Sequence, residues 1–198
     1  MNLWLADQSE TWRAELARYA DVVAAQGVVR LAGYDHWYRD ELPGLIAARR
    51  PALVTRDELV KVTEWKMARG VWRQRNLILV RSNEPTAVES ASRTALSQIP
   101  NPTTPVATLA KLAGVGPATA SAVLGAAAPE VYPFFDDLVA DQVPDLGPVD
   151  YTLKYYARYA DALRHRAQQL GADWTPTMVE RALWACAGGK AARSILGR

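Results

Sequence analysis

Residues 112–137, LAGVGPATASAVLGAAAPEVYPFFDD, hold two kinds of chemistry in one short stretch. Gly114 and Gly116 bracket Val115, and Pro117 follows at once. This order predicts a helix ending at Ala113, a tight turn, and a new helix from Pro117, because glycine accepts the positive φ that ends a helix and proline suits a first helical position. Val115 then plugs the gap between the two helices. The N–H groups of Gly116, Ala118 and Thr119 are left unpaired at a helix N-terminus, where they can hold a phosphate. The second chemistry is acidic. Asp136 and Asp137 are adjacent, with Asp141 one turn on. Crowded carboxylates repel, which raises the pKa of one of them; aspartates in this pattern also start helices.

The longer string resembles the helix-hairpin-helix motif of DNA-repair proteins, on Leu112, Gly114, Val115, Gly116, Thr119, Ala120, Val123 and Leu124. Within that group it is similar to the endonuclease III-like DNA glycosylases, over roughly residues 104–141. Those enzymes carry a catalytic aspartate in a short apolar segment after the second helix. Asp136 lies 22 residues beyond Gly114, in the place of that acid. The resemblance implies a DNA glycosylase that removes a damaged or modified base after base flipping. Asp136 would stabilise positive charge on the sugar and assist an attacking water, and Asp137 is the other acid for that role. The lyase branch of the family carries a lysine two residues after the second glycine. Ala118 stands there, so a monofunctional enzyme is expected unless a lysine elsewhere, Lys66 first among them, reaches the site. The family also implies double-stranded, lesion-containing DNA as partner and, in many members, a monovalent cation at the hairpin carbonyls. Two other functions stay open: a non-catalytic hairpin protein that binds DNA, and a helical protein-interaction module.

A flipped base needs flat walls, and Trp37, Tyr38, Trp65, Trp72, Tyr132, Phe134 and Phe135 are the aromatic candidates. DNA also needs cations. RGVWRQR (69–75) interleaves three arginines with Trp72, and Lys190 and Arg193 follow a glycine pair near the C-terminus, forming a possible second phosphate-binding turn. Arg158, Arg164 and Arg166 read as the solvated face of a helix with a Tyr/Leu stripe beneath. His36 and His165 show no metal-ligand or triad spacing.

The elements that must position these groups read as helical throughout. Ser9 caps a helix running to Gly27; a second, from Tyr34, breaks near Pro43. Thr55 and Glu58 are spaced as a capping box for 55–70. LILV (77–80) reads as a buried helix, and further helices follow over 84–99, 104–114, 150–171 and 175–189. An all-α fold is expected, as one compact unit of two lobes, 55–149 with the hairpin at 104–128, and 1–54 plus 150–198. QIPNPTTP is the candidate seam between them. The 198 residues are 49% hydrophobic and 22% charged, which suits an ordinary globular core. Net charge is only +2, so nucleic-acid binding must rely on a local patch. One cysteine, Cys186, excludes an internal disulfide and an iron–sulfur cluster with four thiolates, and no zinc or other metal site is indicated. The N-terminus shows no basic segment of a signal peptide and no apolar run is long enough for a membrane. A monomer in the cytoplasm, associated with the nucleoid, is expected.

Overall fold

The computed structural model describes residues 2–190. Among them every regular element is helical. A short 3₁₀ turn at Leu3–Leu5 leads into α1 (Ser9–Ala17) and α2 (Tyr19–Ala25), which a break at Arg18 separates. Ser9 is not the cap: its hydroxyl accepts the Trp174 indole N–H at 2.9 Å. Next come α3 (Leu31–His36), a π-helical turn at Trp37–Glu41, and α4 (Leu42–Ala48). The expected break at Pro43 is absent. The wide turn, with Leu42 N–H bonded to the Trp37 carbonyl, comes just before it, so Pro43 sits in a first-turn position where its missing N–H costs nothing.

α5 (Arg56–Arg69) starts at the capping box, Thr55 Oγ1 accepting from Glu58 N–H at 3.3 Å and Glu58 Oε2 from Thr55 N–H at 2.9 Å. α6 (Gln74–Arg81) is helical but not buried as expected. Leu77 and Val80 face inward, while Ile78 and Leu79 are exposed. α7 (Pro85–Ser97) and α8 (Thr104–Leu109) pack on each other, so the prolines of QIPNPTTP turn the chain within one helical pair. α8 stops at Leu109, four residues before the expected end, and 110–116 is a turn leading to α9 (Pro117–Ala127). A single turn, α10 (Asp137–Ala140), precedes α11 (Leu153–Leu170) and α12 (Pro176–Cys186).

Two packing neighbourhoods share one hydrophobic cluster that runs from Leu3 to Ala185. α12 packs against α1, α2 and α11; α5 packs against α6, α7 and α9; α3 and α4 rest on α5 and α9. No described helix is long and apolar enough to cross a membrane.

α9 is apolar on all sides and buried along most of its length, as a central helix must be. Gly125 is there because the chain returns close by. A Cβ at this position would stand 2.8 Å from the Tyr132 carbonyl oxygen and 3.4 Å from the Tyr38 hydroxyl. Gly125→Ala is therefore expected to lower stability by about 1–3 kcal/mol, although alanine is the better helix former, and a thermal melt measures it. An unchanged melting temperature would show that the 132–136 segment is not held against α9.

Candidate functional site

The loop after α9 carries Phe134, Phe135 and Asp136 along a buried path fixed at nearly every residue. Tyr132 donates its hydroxyl to the Asn101 carbonyl at 2.6 Å. From α11, Tyr156 and Tyr159 donate to the carbonyls of Pro133 and Phe134, at 3.3 and 2.7 Å. Ser121 of α9 accepts the Phe135 N–H at 3.0 Å. The apolar stripe of α11 thus carries hydroxyl tips that meet backbone groups otherwise unpaired inside the protein. The path delivers Asp136 as the N-cap of α10, its Oδ1 accepting Leu138 N–H at 2.8 Å.

Asp136 is 5% exposed and lines a cavity of about 320 Å³, within the range of ligand pockets. On one side lie Gly116, Pro117, Ala118 and Thr119, the first turn of α9. Phe134, Phe135 and Tyr151 give apolar and aromatic surface, and Asp137 and Lys190 stand next to Asp136. Lys66 and Gly70 of the α5 end, then Val71, Arg73 and Asn76, close the remaining side.

The hairpin residues divide. Gly116, Ala118 and Thr119 line the cavity, and the N–H groups of Ala118 and Thr119 have no acceptor among the described residues. A Cβ on Gly116 would meet nothing within 4 Å, so the backbone is open to an incoming group. Gly114 and Val115 face elsewhere. Gly114 has φ +72° and lies against α6, where a Cβ would be 2.8 Å from the Asn76 carbonyl oxygen. Val115 is buried and its N–H is taken by the Leu112 carbonyl at 3.2 Å. The Ala113 carbonyl accepts from the Asn83 amide at 2.9 Å. The carbonyls of Leu112 and Ala113, in the turn where the resemblance implies a monovalent cation, thus each already accept a hydrogen bond. No group of three His, Cys, Asp or Glu among the described residues could hold a metal ion.

Behind Asp136 lies a buried charge pair that the sequence reading did not assign. Arg69 Nε is 3.5 Å from Asp136 Oδ2, and the same guanidinium pairs with Glu180 of α12. Arg69 and Glu180 side chains are fully buried. Rings of Trp184, Phe134, Trp65 and Tyr19 surround the guanidinium carbon at 4.5, 5.2, 5.6 and 5.7 Å. Burial pushes the Asp136 carboxyl up to about 6; Arg69 pulls it back, Glu180 pushes it further up, Lys190 lowers it and Asp137 raises it. Asp137 is held below the usual range, because the ion pair and hydrogen bond from Lys190 outweigh its desolvation. The two adjacent acids are thereby split, with Asp137 firmly ionised and Asp136 poised near neutrality. Lys66 has no hydrogen-bond or ion-pair partner among the described residues, and burial with Arg73 nearby lowers its ammonium to about 8.

Several expected site residues lie elsewhere. Trp65 does not line the cavity: it is fully buried, stacked on Tyr38 at 3.7 Å, with its indole N–H on Asp35 at 2.8 Å. Trp37 is also core, with the Lys61 ammonium 4.2 Å from its ring centroid. Asp35 accepts further bonds from the Tyr19 hydroxyl and from Arg39, so DHWYRDE builds an interior network. Trp72 is 51% exposed and stands outside the cavity, between its lining residues Val71 and Arg73. Arg69, read as one of three surface arginines, is the buried partner of Asp136. On α11, Arg158, Arg164 and Arg166 bond backbone carbonyls of Leu146, Val131 and Trp4. Lys190 is engaged by Asp137, and Arg193 lies outside the described residues.

A charged residue on the apolar stripe of a helix was the available signal for Arg69 and Glu180. Arg69 follows Leu59, Val62 and Trp65 at helical spacing, and Glu180 sits among Val179, Leu183 and Trp184. No protein family, curated protein or solved structure matches this chain.

Proposed function

We propose that this protein is a monofunctional DNA glycosylase of the helix-hairpin-helix type, with a two-lobed helical fold and Asp136 as its catalytic acid. One observation carries the reading: the acid of the FFDD segment and the first-turn amides of α9 line the same cavity. The amides of Ala118 and Thr119, at the positive end of an 11-residue helix, hold a DNA phosphate. The flipped nucleotide enters against Phe134, Phe135 and Tyr151. As the glycosidic bond breaks, positive charge grows on the sugar, and ionised Asp136 stabilises it and orients the attacking water. Arg69 keeps the carboxylate partly ionised in a buried place where desolvation alone would protonate it.

The test is a panel of lesion-containing duplexes treated with alkali, which cuts at abasic sites. Abasic sites formed by wild type on at least one substrate support the reading. Tight binding with no abasic site on any substrate favours a binder that uses the hairpin and the exposed Trp72, Arg73 and Arg75. No DNA affinity at all leaves an interaction module.

Lys66, unpartnered among the described residues, of lowered pKa and in the same cavity as the proposed acid, has the properties of an amine nucleophile. With borohydride present during turnover, a monofunctional enzyme gives no covalent adduct with an abasic-site duplex. An adduct in wild type that disappears in Lys66→Met would reassign the protein as a glycosylase with strand-cutting activity.

A further inference from the structure

We infer that Lys190 is a positioning residue that acts on Asp136 through Asp137: by holding the second carboxylate of FFDD, it lets the first keep its charge and its bond to Leu138 N–H. The bearing on catalysis rests on the proposed glycosylase reading, while the linkage itself belongs to the protein without DNA. Two carboxylates meet at one donor. Leu138 N–H lies 2.8 Å from Asp136 Oδ1 and 2.9 Å from Asp137 Oδ1. Neighbouring acids that share a donor repel, and the more deeply buried one loses its charge first. Asp136 is the buried one, and the Asp137 side chain is 32% exposed. An Asp137 without a counter-charge would therefore protonate Asp136. Lys190 supplies the counter-charge, its ammonium in contact with Asp137 Oδ1, the same atom that competes for Leu138 N–H.

The chain beyond α12 brings Lys190 to this place. Gly188 and Gly189 have φ +74° and +64°, which ends the helical course and turns the backbone. The Gln26 side-chain amide pins the turn by donating to the Gly188 carbonyl at 3.1 Å. The glycine pair read from the sequence as a phosphate-binding turn thus has another use, the delivery of Lys190 to the start of α10. Asp136 is also faced by Arg69 from α5, Glu180 from α12, and the hydroxyls of Tyr159 and Tyr151. Lys66 and Arg73 line the same cavity, but among the described residues neither is paired with either acid. Lys190 is the cation paired with Asp137 there.

A double-replacement cycle read by the carbon-13 carboxyl titration of Asp136 in the DNA-free protein tests this. Lys190→Met should move that titration upward by about one pH unit, because a nearby cation has been withdrawn from two acids. Asp137→Asn should move it downward. The double replacement, Asp137→Asn with Lys190→Met, should recover at least roughly half of the upward movement, since the lysine then has no neighbouring carboxylate left to hold. The acid limb of excision should follow the same three directions, which packing alone would not produce. A titration that stays in place in Lys190→Met or in Asp137→Asn overturns the inference. So does a double replacement that titrates as high as Lys190→Met, which would have the lysine acting on Asp136 directly. If Lys190→Met instead weakens binding to a lesion-free duplex, the double replacement does not restore it and Asp136 titrates as in wild type, Lys190 is a DNA contact and the inference fails. Titrations that move as expected, with no substrate in the alkali panel excised, leave the linkage standing and sink the glycosylase reading. Excision by a wild type whose Asp136 ignores Lys190 does the reverse.

Discussion

Asp136→Asn is expected to abolish base excision while leaving the protein at least as stable as wild type. The activity loss should reach about 10³-fold or more, because an amide can neither balance positive charge on the sugar nor accept a proton from water. The stability side follows from linkage. The carboxyl is pushed up to about 6 in the folded protein, against an ordinary value of 3.8. A raised acid contributes stability below its unfolded pKa, and that contribution is lost as pH rises through the folded pKa. Above pH 6 the wild type therefore carries an ionised acid that folding disfavours, and the pull of Arg69 is already contained in that balance. Asparagine keeps an oxygen for Leu138 N–H and removes the charge. A gain on the order of 1–2 kcal/mol at pH 7.5 is expected, vanishing near pH 4, with melts at the two pH values as the measurement. The same carboxyl sets the acid limb of excision: the rate should fall as pH drops through about 6. An Asn variant that stays active would make Asp136 a helix cap and nothing more, and one less stable than wild type at pH 7.5 would show that the fold favours the ionised carboxyl, since asparagine caps as well as aspartate.

The parts of this arrangement that were legible in the sequence are those set by neighbours along the chain. The capping box at Thr55 and Glu58 needs only a spacing of three, and it is present as read. The glycine turn needs only Gly114, and its φ of +72° follows from the local order of residues. Where the outcome depends on what lies across the fold, residue type alone could not decide. Trp65 and Phe134 are both apolar aromatics after or within helical stretches. One is stacked on Tyr38 in the interior and the other borders the cavity, because α3 covers α5 on one side while its C-terminal end lines the cavity. LILV looks buried by composition, yet an eight-residue helix at the surface can turn only one side inward. Arg69 was misplaced for the same reason in reverse. RGVWRQR reads as one basic patch, but the helix ends at Arg69, and the patch divides between a buried guanidinium and exposed Arg73 and Arg75.

The pair formed by Arg69 and Glu180 leads to the second large effect, in which the two partners have opposite consequences for the same acid. Replacing Arg69 by Met leaves Glu180 and Asp136 as two buried carboxyls with no cation between them. A stability loss of about 3–5 kcal/mol is expected, comparable to what breaking a buried ion pair costs elsewhere. Glu180→Gln is milder, since Asp136 remains 3.5 Å from Arg69 to balance it. The direction of the Asp136 titration distinguishes a tuning role from packing alone. Arg69 lowers the Asp136 pKa and Glu180 raises it, with Lys190 and Asp137 the other charged groups facing it. Glu180→Gln should therefore move the acid limb of excision, and the carbon-13 carboxyl titration of Asp136, to lower pH, while Arg69→Met moves both upward. Where Arg69→Met does not fold, Glu180→Gln alone decides the sign. The double replacement Arg69→Met with Glu180→Met removes the two charges together and should recover much of the lost stability, because an apolar pair of similar volume carries no desolvation penalty. A fold that regains stability in this way, but whose Asp136 now titrates higher than in wild type, would show the pair to be retained for the ionisation of that carboxyl at some expense to the core. A titration of Asp136 that stays in place in Glu180→Gln would confine the pair to packing.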